Sequence, residues 1–377
     1  MSCYHPNRIF IVGLDEDGKK ITKFTSSKVE YIVSRFSDFR NYSRSVYIPD
    51  GLLDRLEIYD SFLLLDSFSD SYYCFNYVDV PCGQCIGCRI DYSRDWANRM
   101  MLEASYYDRN CFLTLTYDDL HVPKSSFVDR DGNEHLSLTL RKKHFQDFMK
   151  RLRSRVCVYD DDGKVIDSTK IRFYCAGEYG SNTMRPHYHV ILFNWFPDDA
   201  KFYKHDSRGY DFYTSELVSS IWPYGFHLVS HVSWETCAYT ARYVTKKLGS
   251  LNKDNDIYSV FNIEREFSLM SRKPGLARRY FDDHKLDIYG VDKSYIIRLS
   301  TVDGALKFKP PRYFDSLFDL EDSDRLAEIK DVESYVVDMR NDLKLSKTDL
   351  NYYELLEVEE SNFKDRVTCL KGGDLDA

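Results

Sequence analysis

The chain has 377 residues and a mass of 44.5 kDa, and 43% of its residues are hydrophobic, which is enough for a folded core and excludes global disorder. At this length we expect two or three domains. Apolar runs such as Ile9–Leu14 are too short to cross a bilayer, and the N-terminus lacks the basic and apolar segments of a secretory signal. We therefore expect a cytoplasmic protein with no membrane partner.

The net charge of -8 is unevenly distributed along the chain. Residues 314–377 hold 18 acidic and 8 basic side chains, which leaves a charge of +2 for residues 1–313. An acidic total therefore does not exclude a nucleic-acid partner, because local patches set the field that a polyanion meets. The acidic C-terminal region is either a solvated surface or a segment that shields a nucleic-acid site.

The first third of the chain has the pattern of short strands followed by a helix. Ile9–Leu14 and Ile21–Phe24 are β-prone runs separated by the turn sequence DEDGKK, which predicts a hairpin. Residues 90–107 have a helical period, and Cys111–Tyr117 alternates as a strand. Residues 118–135 are rich in turn formers and predict a loop or the tip of a long hairpin.

The middle of the chain alternates between helices and strands. Residues 140–155 predict an amphipathic helix, with apolar side chains at i, i+3, i+4 and i+7 spacing and basic side chains on its other faces. Strands are predicted at Ile171–Ala176 and His187–Phe193, and a second helix over residues 233–249. This irregular alternation predicts an α+β fold with an antiparallel sheet. The polar residues 249–256 are the best candidate for a domain boundary.

The predicted strand at His187 carries a candidate metal site. Residues two apart on a strand point to the same face, so the imidazoles of His187 and His189 can share one metal ion. Glu178 ends the preceding strand, and an antiparallel return would bring its carboxylate beside them. Two histidines and one carboxylate make a divalent-metal site with open coordination positions. The alternative is a pair of ordinary surface or hydrogen-bonded histidines.

The second predicted helix carries candidate nucleophiles. Tyr239 and Tyr243 are four residues apart, which places them about 6 Å from each other along a helix axis. Lys246 lies on the same stripe. A phenol ionises near pKa ~10, so it needs a nearby cation or a metal-polarised electrophile to attack at neutral pH. The alternative is structural packing, because a chain with 30 tyrosines contains such pairs by chance.

Three cysteines lie close together in the sequence Cys82-x-x-Cys85-x-x-Cys88. In a chain without an export signal, clustered cysteines favour metal binding over disulfides. Their spacing suits a tetrahedral zinc site, whose fourth ligand is Cys3 or, as the alternative, His5. Such a site has no open position for a substrate, so the zinc would be structural. Free buried cysteines are the other interpretation.

Two basic segments are candidates for phosphate contacts. One is the predicted helix 140–155, and the other is SRKPGLARRYF, which contains Arg272 and Lys273 with aromatic neighbours. Solvated surface faces have a similar composition, so neither segment alone predicts nucleic-acid binding.

Four motifs occur in the order FLTLTY, GEYG, PHYHVILF and YTARYVTKK. This combination resembles the HUH superfamily of single-strand endonucleases, in the form found in rolling-circle replication initiators of small circular single-stranded DNA phages. It is most similar to the gokushovirus branch of the microviruses. Further matching stretches are PCGQCIGCR, WPYGF, MSRKPG and KPPRYFD, so the resemblance extends from about residue 80 to residue 315.

The resemblance implies a fold and a set of roles. The fold would be a central antiparallel sheet flanked by helices, the ferredoxin/RRM-like palm of HUH endonucleases, with a Cys-rich zinc knuckle and an acidic C-terminal extension. The metal, Mg or Mn, would be bound by Glu178, His187 and His189. The catalytic residues would be Tyr239, Tyr243, Lys246 and Lys247. The DNA-binding residues would be Thr114, Thr116, Tyr117, Arg185, Arg272 and Lys273.

The resemblance also implies an activity and its partners. One tyrosine would nick single-stranded origin DNA, form a 5′-phosphotyrosine link and leave a 3′-OH primer, and the ends would later be rejoined. The partners would be origin DNA and host proteins such as helicase and polymerase, in the cytoplasm of the host bacterium. The alternatives are a zinc-stabilised nucleic-acid-binding protein without chemistry, a two-His-one-carboxylate iron oxygenase, and an HUH relaxase, plasmid initiator or transposase.

The chain is predicted to divide into four segments. They are a strand-rich N-terminal segment that packs on the zinc knuckle (1–80), the HUH endonuclease domain (81–250), a basic and aromatic extension (251–313) and the acidic C-terminal region (314–377).

Overall fold

The computed structural model describes residues 3–159, 165–180, 183–206, 209–243, 257–291, 294–301 and 304–371. The chain forms two compact units. The terminal unit comprises Met1–Asp91 and Glu333–Ala377, and the central unit comprises Tyr92–Val332. Within the described ranges, every helix is too short or too polar to span a bilayer. The division into four segments stays a prediction.

The elements below are numbered in chain order. The strands are β1 (Asn7–Leu14), β2 (Lys20–Ser26), β3 (Tyr31–Ser34), β4 (Ser43–Ser45), β5 (Glu57–Ile58), β6 (Leu64–Asp66), β7 (Ser71–Cys74), β8 (Tyr77–Val80), β9 (Asn110–Thr116), β10 (Lys124–Val128), β11 (Glu134–Leu138), β12 (Cys157–Tyr159), β13 (Val165–Ser168), β14 (Arg172–Tyr179), β15 (Pro186–Phe193), β16 (Lys201–His205), β17 (Asp211–Thr214), β18 (His227–His231), β19 (Phe267–Met270), β20 (Ile297–Thr301) and β21 (Gly304–Phe308). The helices are α1 (Ile86–Ala104), α2 (Lys142–Arg155), α3 (Glu216–Ile221), α4 (Trp234–Tyr243), α5 (Ile257–Val260), α6 (Arg278–Tyr289), α7 (Arg312–Phe318), α8 (Ser323–Leu345) and α9 (Tyr352–Lys371), with a 3₁₀ turn at Leu53–Arg55.

In the terminal unit, the two predicted N-terminal strands form the hairpin β1–β2. The Asp15 carboxylate closes its turn by accepting hydrogen bonds from the backbone N–H groups of Asp17 and Lys19, at 3.1 and 2.7 Å. β8 pairs with the other edge of β1, and a separate five-stranded sheet has the order β4-β3-β7-β6-β5. The apolar core of this unit is formed by Phe10, Val12, Val29, Ile32, Phe39, Leu63 and Cys74.

The central unit is built on a seven-stranded sheet with the order β16-β17-β18-β9-β15-β14-β19. Each neighbouring pair of strands is antiparallel. The prediction of a mixed α and β chain with antiparallel sheets and helices is therefore confirmed. The strands β9, β15 and β14 lie next to each other, so the three predicted strands that carry the candidate site are adjacent.

Strand alternation gives this sheet two different faces. One face packs against α2, whose apolar stripe is buried as its periodicity predicts, with Phe145, Phe148, Met149 and Leu152 in the core. The opposite face packs against α1 and α4, where Phe112 and Ile191 meet Met100 and Cys237. The candidate site lies on this second face.

The other predicted elements agree with the structure to within a few residues. Residues 118–135 include most of the hairpin β10–β11. The second predicted helix begins at Trp234, where the Ser233 hydroxyl accepts a hydrogen bond from the Thr236 N–H at 3.3 Å. Its predicted end and the predicted boundary at 249–256 lie outside the described residues.

The acidic C-terminal region contributes to both units. Phe314 and Phe318 of α7 are buried in a core of the central unit. In the terminal unit, Arg8 is 2% exposed, and it donates hydrogen bonds to the Asp79 carboxylate at 2.9 Å and to the hydroxyl of Tyr353 on α9. The region is therefore more than a solvated surface.

Candidate functional site

The strand register brings Glu178 and the two histidines together. Glu178 lies directly opposite His187 in the β14–β15 pair. On the other side of β15, His187 lies opposite Thr116 and His189 opposite Thr114. Because directly opposed residues share a face, all of these side chains are on the face that packs against α4. We call Glu178, His187 and His189 the carboxylate–histidine triad.

The triad converges on one carboxylate oxygen. The Nε2 atoms of His187 and His189 lie 2.5 and 3.1 Å from Oε1 of Glu178. Glu178 and His189 are each 5% exposed, whereas His187 is only partly buried. Burial by itself raises the pKa of Glu178, but the hydrogen bonds with His187 and His189 outweigh it and lower that pKa. The triad therefore keeps its carboxylate ionised.

The outer nitrogens of both imidazoles are held by neighbouring groups. His187 Nδ1 donates to the backbone carbonyl of Arg185 at 3.1 Å, since a carbonyl can only accept. His189 Nδ1 lies 3.2 Å from Oγ1 of Thr114. Such bonds fix the ring orientation of a histidine and direct its other nitrogen toward a metal.

The donor set fits a divalent cation. With Nδ1 of His187 protonated, its neutral ring directs the Nε2 lone pair at an ionised carboxylate, an arrangement that needs a cation between the two. The second oxygen of Glu178, Oε2, is buried and has no hydrogen-bond partner among the described residues. The ligand atoms of the three residues all lie within 4.8 Å of one another. Two imidazoles and a carboxylate leave coordination positions open for a substrate.

Helix α4 packs its tyrosine face against the triad. The Tyr239 ring contacts the His189 ring edge-to-face, with centroids 4.9 Å apart, and lies 6.2 Å from the ring of Phe112. The Arg242 guanidinium is 5.7 Å from the Tyr239 ring. Tyr243 is the last residue of α4, and Lys246 and Lys247 lie outside the described residues. The predicted imidazole-bearing strand and phenol-bearing helix therefore face each other.

The remaining predicted site residues are divided between the two faces. Thr114 and Thr116 lie beside the triad, and Oγ1 of Thr116 donates to the Phe226 carbonyl at 3.0 Å. The Arg185 guanidinium is bonded to the Tyr117 carbonyl at 2.8 Å and to the Asp119 carboxylate at 2.7 Å. Arg272 and Lys273 are exposed near the opposite end of β14 from Glu178.

Tyr117 does not join the site. Its side chain is 4% exposed on the opposite face of the sheet, where its hydroxyl lies 2.7 Å from that of Tyr188 and 2.8 Å from Nδ1 of His144. It follows directly after Thr116, so alternation turns it away from the triad. We therefore assign it to the core and not to a DNA contact.

The stretch Trp222–Phe226 supports the triad end of β9, a role that its sequence alone did not indicate. Nε1 of Trp222 donates to the Thr116 carbonyl at 2.9 Å. Gly225 has a φ of +154° and packs so closely that an added Cβ would lie 2.5–2.7 Å from backbone atoms of residues 116–118. Only a glycine permits this approach. The WPYGF motif was the available signal, and its role depends on long-range packing.

The terminal unit contains a second group of potential metal ligands, the cysteine cluster Cys3, Cys82, Cys85 and Cys88. All four sulfurs lie within 4.8 Å of one another. The backbone N–H of Cys82 donates to Sγ of Cys3 at 3.2 Å. Burial alone would raise the pKa of Cys85, but backbone hydrogen bonds from Cys88 and Tyr4 outweigh it and lower that pKa to about 7. Four sulfurs that favour the thiolate state fit zinc.

The structure decides between the two candidates for the fourth ligand. Cys3 belongs to the cluster and is 3% exposed. His5 points elsewhere, with its Nε2 atom 2.8 Å from Oε2 of Glu360 on α9. The cluster is therefore a closed four-sulfur set, and His5 links the N-terminal segment to the C-terminal helix.

Comparisons with known proteins agree with this arrangement. The model of the family described as replication-associated protein ORF2 matches residues 110–248, which run from β9 past α4. The chain is 35% identical over 250 residues to replication-associated protein ORF2 of Spiroplasma virus 4, covering 65% of this chain and 70% of that protein. It is 30% identical over 240 residues to replication-associated protein VP4 of Bdellovibrio phage phiMH2K, covering 63% and 67%. No solved structure gives a significant match.

Proposed function

The chain belongs to the family of phage replication-associated proteins typified by ORF2, and we propose that it is a replication initiator that nicks and rejoins single-stranded origin DNA during rolling-circle replication. The observation that carries this proposal is the contact between the triad and α4, with the rings of His189 and Tyr239 4.9 Å apart. This contact brings a potential nucleophile and an open cation site to one place. A single phosphodiester can then contact both.

The triad would hold the divalent cation, Mg or Mn. When bound, this ion supplies Lewis-acid stabilisation of the charge that develops on the phosphate oxygens. Glu178 contributes its ionised carboxylate, and the neutral imidazoles contribute their Nε2 lone pairs. Thr114 and the Arg185 carbonyl hold the two rings in position, so little reorganisation accompanies the reaction.

The tyrosines of α4 would perform the transesterification. A phenol oxygen of Tyr239 or Tyr243 forms a bond to phosphorus while the bond to the 3′ oxygen breaks. The phenol loses its proton, and the released 3′ oxygen gains one. Lys246 and Lys247 follow within a turn and would neutralise charge near the phosphate. The products are a 5′-phosphotyrosine and a 3′-OH that primes synthesis.

Two tyrosines would make the cycle repeatable. After one circle is copied, the second phenol attacks the regenerated junction, and the displaced 3′-OH closes the released strand on the first phosphotyrosine. Each step exchanges one phosphodiester for another, so joining needs no ATP. The fold that carries this chemistry would be the ferredoxin/RRM-like palm of HUH endonucleases, with the cysteine cluster holding a structural zinc and host helicase and polymerase as further partners.

The test is the formation of a covalent adduct. The protein is incubated with Mn²⁺ and a labelled single-stranded circle of its own genome, and the products are separated under denaturing conditions. We expect a labelled adduct with the wild-type protein, a reduced amount with Tyr239→Phe or Tyr243→Phe, and none with the double variant. Phenylalanine removes only the hydroxyl, so the packing of α4 is retained.

Two outcomes would contradict the proposal. Undiminished adduct in the double variant would refute the assignment of the nucleophiles. The absence of any adduct in the wild type would favour a zinc-stabilised DNA-binding protein without catalysis.

A further inference from the structure

A cavity of about 570 Å³ in the central unit lies away from the triad and is lined by cations. Its described lining residues are Arg153, Cys157, Thr169, Lys170, Ile171, Arg172, Phe173, Ser271, Arg272 and Lys273. Half of them are basic and none is acidic. We call Arg153, Lys170, Arg272 and Lys273 the basic cleft. A second cavity, of about 350 Å³ and also beside α2, includes Lys150, Arg151 and Arg155 in its lining.

The charges of the basic cleft are not explained by structural pairing. Arg172 is buried and has a carboxylate partner, with its Nε atom 2.5 Å from Oε1 of Glu103. The cations of the basic cleft are exposed, and none of them forms an ion pair with a carboxylate of the described residues. A positive potential therefore remains in the cavity.

The helix dipole accounts for only part of this charge. Arg153 lies in the last turn of α2 and donates to the Ile171 carbonyl at 3.3 Å, so a structural role suffices for it. Lys170, Arg272 and Lys273 lie outside any helix and gain nothing from that dipole. A concentration of exposed like charges around a cavity is the arrangement expected of an anion site.

The basic cleft is separated from the triad along β14. Arg172, which also lines the cavity, and Glu178 are six residues apart on this strand, about 20 Å at ~3.3 Å per residue. A duplex advances ~3.4 Å per base pair, so this distance corresponds to about six base pairs. One DNA molecule can therefore occupy both places.

We propose that the basic cleft is a second DNA-binding site, which holds the phosphate backbone of the origin DNA at a distance from the scissile phosphate. This inference rests on the proposed function. Phe173 is the one aromatic side chain among the described lining residues, so the cleft lacks the stacking surface that reads bases in single strands. Recognition is therefore electrostatic and independent of sequence.

The experiment compares two triple variants of the full chain. The cleft variant is Lys170→Gln/Arg272→Gln/Lys273→Gln. The control is Lys143→Gln/Lys201→Gln/Lys285→Gln, which removes the same formal charge from lysines already paired with Asp147, Glu216 and Glu321. Affinity for a labelled mixed-sequence DNA of about 40 nucleotides, long enough to span about 20 Å at duplex spacing, is measured over a range of salt concentrations. Circular dichroism and melting temperature verify that both variants fold.

The cleft variant should bind DNA at least about tenfold more weakly than the control at low salt, and its slope of log K against log[salt] should be shallower by about 2, since each lost phosphate contact contributes ~0.7 for single strands. Equal affinities and slopes in the two variants would overturn the proposal. At saturating protein, both variants should still form the Mn²⁺-dependent adduct. Failure of the wild type to form it would refute the proposed chemistry without touching the binding result.

Discussion

The cysteine cluster and the carboxylate–histidine triad are two groups of potential metal ligands with opposite construction. The cluster joins Cys3 to a loop and helix start about 80 residues later, and its four sulfurs fill a tetrahedron. The triad takes its ligands from two adjacent strands and supplies only three. The first therefore closes a chain segment around an ion, whereas the second presents an ion to something outside.

The surroundings of the two groups differ in the same sense. The cluster is surrounded by backbone N–H groups that donate to sulfur, which favours a permanently bound cation. The triad has an unpartnered carboxylate oxygen among the described residues and a tyrosine ring against His189. Ligand number and neighbouring side chains together separate a structural site from a reactive one, although both contain ionised groups.

The largest expected effect distinguishes binding from chemistry at the triad. His187→Ala removes one of three ligands, so we expect Mn²⁺-dependent cleavage to fall by at least ~10²-fold, the scale on which lost electrostatic stabilisation acts. DNA binding should remain within about threefold of the wild type, because phosphate contacts elsewhere supply the affinity. Rates are measured with the labelled circle, and binding is measured without metal. Cleavage that persists in the variant or in the presence of a chelator would contradict the role of the triad.

Chelation should separate the two groups. A closed four-sulfur zinc site binds with roughly 10–16 kcal/mol at neutral pH, whereas an open three-ligand site for Mg or Mn exchanges readily. After brief treatment with EDTA, elemental analysis should therefore find one zinc per chain and no manganese.

Cys88→Ser should abolish the retained zinc and lower the melting temperature, while Cys157→Ser, a cysteine outside the cluster, should leave both unchanged. Zinc that is still bound to Cys88→Ser in stoichiometric amount would show that the cluster is not the site.

A smaller effect is expected from the group that orients His189. Thr114→Val removes the hydroxyl beside Nδ1 but keeps the shape and β-branching of the side chain. Loss of such a supporting bond typically lowers metal affinity by about 10–100-fold. Titration with Mn²⁺, followed by electron paramagnetic resonance, reports this affinity without catalysis. Thr25→Val, in the terminal unit, is the control, and equal affinities in the two variants would remove Thr114 from the site.

The smallest expected effect concerns acid stability in the central unit. His227 is 3% exposed, its Nε2 atom accepts the Ser215 N–H at 3.0 Å, and burial lowers its pKa. Its contribution to stability is therefore fully present above the ordinary pKa of about 6.5 and is lost as the pH falls through the lower folded value. His227→Gln should reduce the fall in melting temperature between pH 7 and 5 by roughly 2–4 °C, the equivalent of about 1 kcal/mol. An unchanged pH profile, as expected for the exposed His231→Gln, would contradict this account.

Local patterns were sufficient to predict the elements that carry the site. Alternation located the strand His187–Phe193, the helical period located α2, and the cap at Ser233 located the start of α4. These signals depend on contacts within one element and its core face, so the sequence contains them directly. The convergence of Glu178 with both histidines also followed, because it requires only one strand–turn–strand return.

Features that depend on pairing between distant segments could not be predicted. Thr114 was a candidate DNA contact, and its bond to His189 follows from the β9–β15 register. The choice of Cys3 over His5 depends on where α9 packs, since Glu360 binds His5. The short strands of the five-stranded sheet pair over long separations and lack a periodic signal of their own. Register and docking are set by the whole fold.

The most direct test of the central claim is to locate the adduct on the chain. After reaction with Mn²⁺ and the single-stranded circle, the protein is digested with nuclease and protease, and the peptide that carries a nucleotide is identified by mass spectrometry. We expect the modification on Tyr239 or Tyr243, and its loss in Glu178→Gln. A nucleotide on a tyrosine outside α4, or an adduct of equal yield in Glu178→Gln, would contradict the account.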